Sequence, residues 1–209
     1  MLRLVREGGD WRALSAEQFD GKGSWGDGAA MRVAPLGAWF AGDPAEAARQ
    51  ATLSAQVTHT HAEAVAGAVA VAVATALTVS DPGLPAGQFL DRVSEHVPAS
   101  LVRDGIAEAR QLLTIGDPTL AARMLGNGRQ VTAHDTVPFT LWVAARRHHD
   151  YEGAMWTTAA AGGDVETTCA IVGGIVAASG STPLPPQWRG KCEPLPGWAG
   201  APPLDHEPA

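Results

Sequence analysis

From Ala64 to Ser80 the chain carries no charged residue, and almost every position is alanine, valine or another small side chain. A helix that is apolar on every face has no side to show to water, so it is expected at the centre of a fold. The run is short and weakly hydrophobic for a membrane span, which makes a buried core helix the expected reading, with no membrane partner. Small side chains let neighbouring helices approach closely. A helix ending near Val79 is therefore the expected central element, with other helices packed around it.

The flanking sequence supplies helices and few strand signals. Asp43-Pro44 reads as an N-cap followed by proline at the first helical position, opening a helix through Ser54. Asp81-Pro82-Gly83 is a turn, and helices are predicted over Ala86–Val97, Ser100–Leu113 and Pro118–Leu125. A helix opens at Asp135-Thr136-Val137-Pro138, where Phe139, Trp142 and Val143 recur at helical spacing and read as core. Tyr151 to Ala161 forms another, and a helix is predicted around Trp11 to Phe19. Pro35 should limit or kink the helix that follows Gly28, because it lacks an N–H and clashes with the preceding turn. No run alternates as a strand does over its full length, so the expected class is all-α. At 209 residues this is most simply one domain, over 1–188, with a Pro-rich tail over 189–209 expected to be disordered.

The formal charge of -7 and the lack of any basic block exclude a phosphate-backbone partner, so no nucleic acid is expected. The opening Met1-Leu2-Arg3-Leu4-Val5-Arg6 is broken by charge at once, and no signal peptide is expected. Cys169 and Cys192 do not make a disulfide framework. A reducing, cytoplasmic setting fits these features best.

Two stretches carry chemistry. Gly162-Gly163-Asp164-Val165-Glu166-Thr167-Thr168 places two carboxylates and two hydroxyls beside a double glycine. Side chains two apart within a helix point about 200° from each other, but Asp164 as an N-cap escapes that spacing. It can then converge with Glu166 and Thr167 ahead of the helix, as oxygen ligands for a hard cation such as Mg²⁺. The two carboxylates can equally serve to complement the positive end of the helix dipole. The second stretch, Gly21-Lys22-Gly23-Ser24-Trp25-Gly26-Asp27-Gly28, has no strand before it and is not a dinucleotide fingerprint. It either aims backbone N–H groups at an anion or is a plain connecting loop. Between these two stretches, Val57-Thr58-His59-Thr60-His61 leads into the Ala/Val helix. The histidines can bind metal, cap the helix or contact a ligand, with a capping role expected for His61.

In this order, Gly23-Ser24-Trp25-Gly26-Asp27-Gly28-Ala29-Ala30-Met31-Arg32, Val57-Thr58-His59 before an Ala-rich helix, and Gly163-Asp164-Val165-Glu166-Thr167-Thr168 resemble the ADP-ribosylglycohydrolase family. Leu125-Gly126-Asn127-Gly128, Asp135 to Phe139 and Gly173-Gly174 resemble its bacterial branch, and the likeness runs over roughly 20–188. The resemblance implies a compact multi-helix bundle, two Mg²⁺ ions or Mn²⁺ in their place, and cleavage of ADP-ribose from modified proteins or small molecules. It implies metal ligation by Asp164, Glu166 and Thr167. It also implies an ADP-ribose pocket lined by Gly23, Ser24, Trp25, Gly26, Asp27, Gly28 and Met31, with His59 facing it.

Departures from the family pattern shape the expectation. Glu166 stands where aspartate is usual, and Asp27 where asparagine is common. No Asp-Asp pair occurs, so the family's N-terminal Thr-Asp-Asp-Thr metal motif and the carboxylate expected to activate water are absent. The fold is thus expected to be N-terminally truncated, with no catalytic residue assigned and with self-association through surface that the missing helices would cover. Two functions follow: a Mg²⁺-dependent ADP-ribosyl hydrolase completed from elsewhere, or a catalytically incomplete ADP-ribose-binding or structural relative.

Overall fold

The computed structural model describes residues 2–181, 183–193 and 197. Thirteen α-helices and one 3₁₀ turn make up the described residues, with no strand among them. In chain order the helices are α1 (Leu2–Arg6), α2 (Trp11–Ala16), α3 (Gly28–Met31), α4 (Ala34–Trp39), α5 (Pro44–Gln56), α6 (Ala62–Ser80) and α7 (Ala86–His96). They continue with α8 (Leu101–Gln111), α9 (Pro118–Leu125), α10 (Ala133–Arg147), α11 (Tyr151–Ala160), α12 (Val165–Ala177) and α13 (Pro186–Arg189). Of the 189–209 tail expected to be disordered, only 189–193 and 197 are described, and the rest lies outside the described residues.

Helix α6 is the axis of the fold, buried from Ala66 to Thr78 and packed by α3, α4, α5, α7, α8, α10 and α12. It is long and apolar enough to cross a bilayer, but other helices of this chain take up its faces. Its alanines set the packing distance. Gly37 of α4 lies so close to the Ala72 carbonyl that any Cβ would collide with it, and Ala47, Ala51 and Ala55 of α5 are fully buried against the same helix. On the opposite side Gly67 meets Ala133 and Val137 of α10. Phe139 and Trp142 are buried there with their rings stacked 6.0 Å apart, as their spacing predicts for core residues.

The ends of the helices are fixed as their residues dictate. Asp43 caps α5 by accepting from the Glu46 N–H at 3.0 Å, with Pro44 at the first helical position. Glu63, in the first turn of α6, reaches across to accept from the Leu101 and Val102 amides that open α8. Some predicted helices are cut differently. Helix α2 stops at Ala16, because Phe19 and Asp20 adopt positive φ and turn the chain into the glycine loop. Pro35 does not kink one helix: α3 ends at Met31, and Pro35 lies in the first turn of α4, where no N–H is needed. Helix α10 begins two residues before Asp135 and keeps Pro138 inside it, with Gly105 of α8 making room for the ring.

Candidate functional site

Two helix starts meet over the N-terminal end of α6. The first is the 21–28 loop leading into α3. Gly23 adopts φ +71° and lies against Thr60 and His61, too close for a side chain. The His61 amide donates to the Ser24 carbonyl at 3.3 Å, the Ala133 amide donates to the Trp25 carbonyl at 3.1 Å, and Gly26 forms an isolated antiparallel bridge with Thr132. The loop is thus stitched to the starts of both α6 and α10. It is more than a tether between helices, although α3 is a single turn and aligns few peptide dipoles.

His59 supports this loop from beneath. Its ring lies close enough to Gly26 and Gly28 that a Cβ at either would sit 3.4 or 3.2 Å from Nε2. Nδ1 is 2.7 Å from the Thr58 hydroxyl. Burial, reinforced by the Arg32 guanidinium, pushes His59 below the ordinary imidazole range, and the Asp27 carboxylate offsets part of that. Burial and Arg32 both favour the neutral imidazole. His61 has the capping role its position suggested: its Nδ1 accepts from the Glu63 amide at 3.2 Å.

Beside the loop opens a cleft of about 390 Å³, lined by Phe19, Asp20, Lys22, Gly23, Trp25 and His61. That volume lies within the roughly 300–1,000 Å³ usual for small-molecule sites. Trp25 is half exposed in it, with its ring 5.5 Å from His61 and 5.7 Å from His134, and Phe19 is 67% exposed. Flat aromatic faces held open to solvent suit a planar ring, and Lys22 suits an anion. Phe19, Lys22 and His61 were not predicted here. The one signal available was an aromatic residue just ahead of the glycines.

The second helix start is Gly163-Asp164 before α12. Asp164 Oδ1 accepts from the Thr167 amide at 3.1 Å, and Oδ2 accepts from the Thr167 hydroxyl at 2.7 Å. The Thr168 hydroxyl donates to the Asp164 carbonyl at 2.8 Å. The 126–131 loop holds this turn from behind. Gly163 lies directly on Asn127, whose carbonyl accepts from the Asp164 amide at 3.0 Å, and a Cβ on Gly128 would stand 2.9 Å from that of Asp164. Val131, a β-branched residue at φ +56°, closes the loop in a conformation such residues rarely adopt. Asn127 and Gly128 entered the sequence reading as part of the resemblance to the bacterial branch, with no role assigned to either.

The two starts are joined by short contacts. Met31 Sδ is 3.5 Å from the Thr167 hydroxyl. Asp27, expected on the pocket wall, is instead turned inward and only 3% exposed. The Thr136 hydroxyl is 2.7 Å from Asp27 Oδ2 and 2.9 Å from the Thr132 carbonyl, so it has two acceptors to share its proton between. This direction removes the repulsion that a carboxylate facing a diphosphate would create. Of the three oxygen ligands suggested by resemblance, Asp164 and Thr167 converge, whereas Glu166 is exposed and hydrogen-bonds to no other described side chain. Carboxylate and hydroxyl oxygens are the donor types a hard cation takes, although here the two oxygens are joined to each other by a hydrogen bond of 2.7 Å. These donors fit a hard cation. Among the described residues no three His, Cys, Asp or Glu side chains gather at one point.

The ADP-ribosylglycohydrolase family model matches residues 1–202. The chain belongs to the ADP-ribosylglycohydrolase family. It is also similar to a curated protein of Archaeoglobus fulgidus described as uncharacterized, at 36% identity over 165 residues. The match takes in 77% of this chain and 51% of that protein, so the chain spans about half the length of the curated relative it matches. The all-helical architecture agrees with membership.

Proposed function

We propose that this ADP-ribosylglycohydrolase-family chain binds ADP-ribose across the 21–28 loop and takes part in Mg²⁺-dependent hydrolysis of ADP-ribose from modified proteins or small molecules. The observation that carries this is the aromatic cleft beside the glycine loop, together with the packing of α3, which follows that loop, against the start of α12, where Met31 Sδ is 3.5 Å from the Thr167 hydroxyl. In this reading Trp25 and Phe19 stack the adenine, Lys22 and the amides of the glycine loop meet the diphosphate, and the distal ribose extends toward Asp164. His59, seated under Gly26 and Gly28, fixes the height of the loop. Asp164 and Thr167 are the residues that would hold a divalent cation, Mg²⁺ or Mn²⁺, with Glu166 on the exposed side of the same turn. Such an ion, one of two in the proposed site, supplies orientation of the ribose diol and polarisation of water. Cleavage then passes through an oxocarbenium-like state at the anomeric carbon.

A second reading, an ADP-ribose-binding or structural relative without turnover, is favoured because no three His, Cys, Asp or Glu side chains gather at one point among the described residues. Both readings share the pocket and differ in what completes the cation site, which in the first comes from outside the Asp164 turn. Trp39, 83% exposed, with Leu53 and Val57 also exposed nearby in the chain, supports self-association as a further part of the proposal. The two free thiols, Cys169 and Cys192, agree with a reducing, cytoplasmic setting.

The deciding experiment measures free ADP-ribose released from an arginine-ADP-ribosylated peptide with Mg²⁺ or EDTA, using wild type and Asp164→Ala. Metal-dependent release lost in the variant supports the hydrolase. ADP-ribose binding without release from this or a serine-linked peptide supports the second reading, and loss of both sinks the pocket itself.

A further inference from the structure

Along the 126–131 loop, between α9, the start of α10 and Ala161 at the end of α11, lies another cleft of about 470 Å³. Its polar lining comes from Thr119 and Arg123 of α9, from Asn127, Arg129 and Gln130 of the loop, and from Asp135 of α10. The charge there is not balanced. Asp135 is 8% exposed, and its carboxylate is occupied by Gln130: Oδ2 accepts from the backbone amide at 2.8 Å and Oδ1 from the side-chain amide at 3.5 Å. Arg123 and Arg129 are both exposed, and neither forms an ion pair or hydrogen bond with a described residue. In a chain of net charge -7, the two guanidinium groups outnumber the one carboxylate lining this cleft and give it a local positive surplus.

The helix ends explain only part of this. Arg123 occupies the last turn of α9, where a cation complements the dipole, but Arg129 lies in the loop beyond it. The same loop fixes Asp164 through the Asn127 carbonyl and Gly128. A group seated here would lie close to the Asp164 turn, separated from it by the 126–131 backbone. The polar lining disfavours an apolar occupant, and paired guanidinium and amide donors suit carboxylates.

We propose that the Arg123–Arg129 cleft binds an acidic segment of the ADP-ribosylated protein, and so selects acceptors with carboxylates near the modified residue. This rests on the hydrolase reading for its biological meaning. The contact itself is independent of that reading.

The test uses the full chain and two fluorescein-labelled peptides of equal length, one carrying three glutamates and the other three glutamines in their place, followed by fluorescence anisotropy. The glutamate peptide should bind more tightly than the glutamine peptide. The Arg123→Ala/Arg129→Ala variant should weaken the glutamate peptide by about five- to tenfold, since two exposed charge pairs are lost. The Arg123→Lys/Arg129→Lys variant should retain part of the affinity. ADP-ribose binding, read separately by Trp25 fluorescence, should be unchanged in the alanine pair, which also shows that the variant is folded. Equal binding of the two peptides, or no change in the alanine pair, would overturn the proposal. So would displacement of the glutamate peptide by inorganic phosphate at lower concentration than by unlabelled peptide, which would mark a small-anion site. If ADP-ribose fails to bind while the peptide behaves as expected, the hydrolase reading falls and the cleft stands.

Discussion

Asp27 and Asp164 occupy the same position in two helices, each following a glycine and each at an N-cap, and the fold uses them in opposite ways. Asp164 turns toward its own helix, accepts from both the amide and the hydroxyl of Thr167, and stays partly open to solvent. The Asp27 side chain makes no bond to its own helix and turns inward to Thr136. The difference lies in what stands behind each. The 126–131 loop backs Asp164 closely through Asn127 and Gly128, leaving its carboxylate to its own turn. The glycines flanking Asp27 are spaced by the His59 ring, and α3 is too short to reward capping. A cap position thus fixes where the backbone stands but not where the carboxylate points.

Changes at the glycines and carboxylates of the two starts should separate by size. Gly163→Ala should be the most damaging, at about 2–4 kcal/mol, because it combines φ +77° with a collision against Asn127. Chemical denaturation gives the value, and a loss under about 1 kcal/mol would mean that the backing loop is pliable. Asp27→Ala should cost about 1–3 kcal/mol by removing the charged acceptor of a buried hydroxyl, whereas Asp27→Asn, which still accepts from Thr136, should be near neutral. If the alanine variant is equally neutral, the inward direction of Asp27 contributes nothing to stability.

Asp164→Ala should cost about 1–2 kcal/mol as a lost cap, while Asp164→Asn keeps the cap and stability. Both should lose Mg²⁺ binding by calorimetry, which separates the structural use of this carboxylate from the chemical one. Gly28→Ala should be the mildest of the four alanine substitutions, at about 1 kcal/mol or less, since a Cβ meets the edge of an imidazole at 3.2 Å and φ is not positive. The smallest effect is expected with pH. His59 has a folded value below its unfolded one, so the unfolded chain binds more protons and stability rises with pH through the window below about 6.5. His148 is lowered in the same direction by burial and His149. The His59 share is therefore read as the flattening of the slope in His59→Gln, and an unchanged slope would show that His59 is not held neutral by the fold.

Much of this architecture was legible because it is local. The charge-free run at Ala64 to Ser80 is the central helix, and the caps at Asp43, His61 and Asp164 lie where side-chain chemistry and spacing put them. The site was legible only in part, since its geometry depends on partners distant in sequence. Asp27 points inward because of Thr136, 109 residues away, and no local signal encodes that. Asn127 and Gly128 read as a turn, yet they position Asp164 through backbone contact. Phe19 enters the cleft because of two positive φ values that neither Phe nor Asp announces. Composition excluded nucleic-acid chemistry as an expectation, but a balance summed over the chain hid the local excess at Arg123 and Arg129.

The central claim is that the aromatic cleft and the Asp164 turn form one site. Its most direct test is the coupling between ADP-ribose and Mg²⁺, with ADP-ribose binding titrated by tryptophan fluorescence at saturating Mg²⁺ and in EDTA, in wild type and Asp164→Asn. One site predicts tighter ADP-ribose binding with Mg²⁺ by about five-fold or more, reciprocal tightening of Mg²⁺ by ADP-ribose, and loss of both in the variant with residual metal-free binding unchanged. ADP-ribose affinity that is the same with Mg²⁺ and EDTA, in a protein that binds each ligand separately, would show two independent sites and contradict the account.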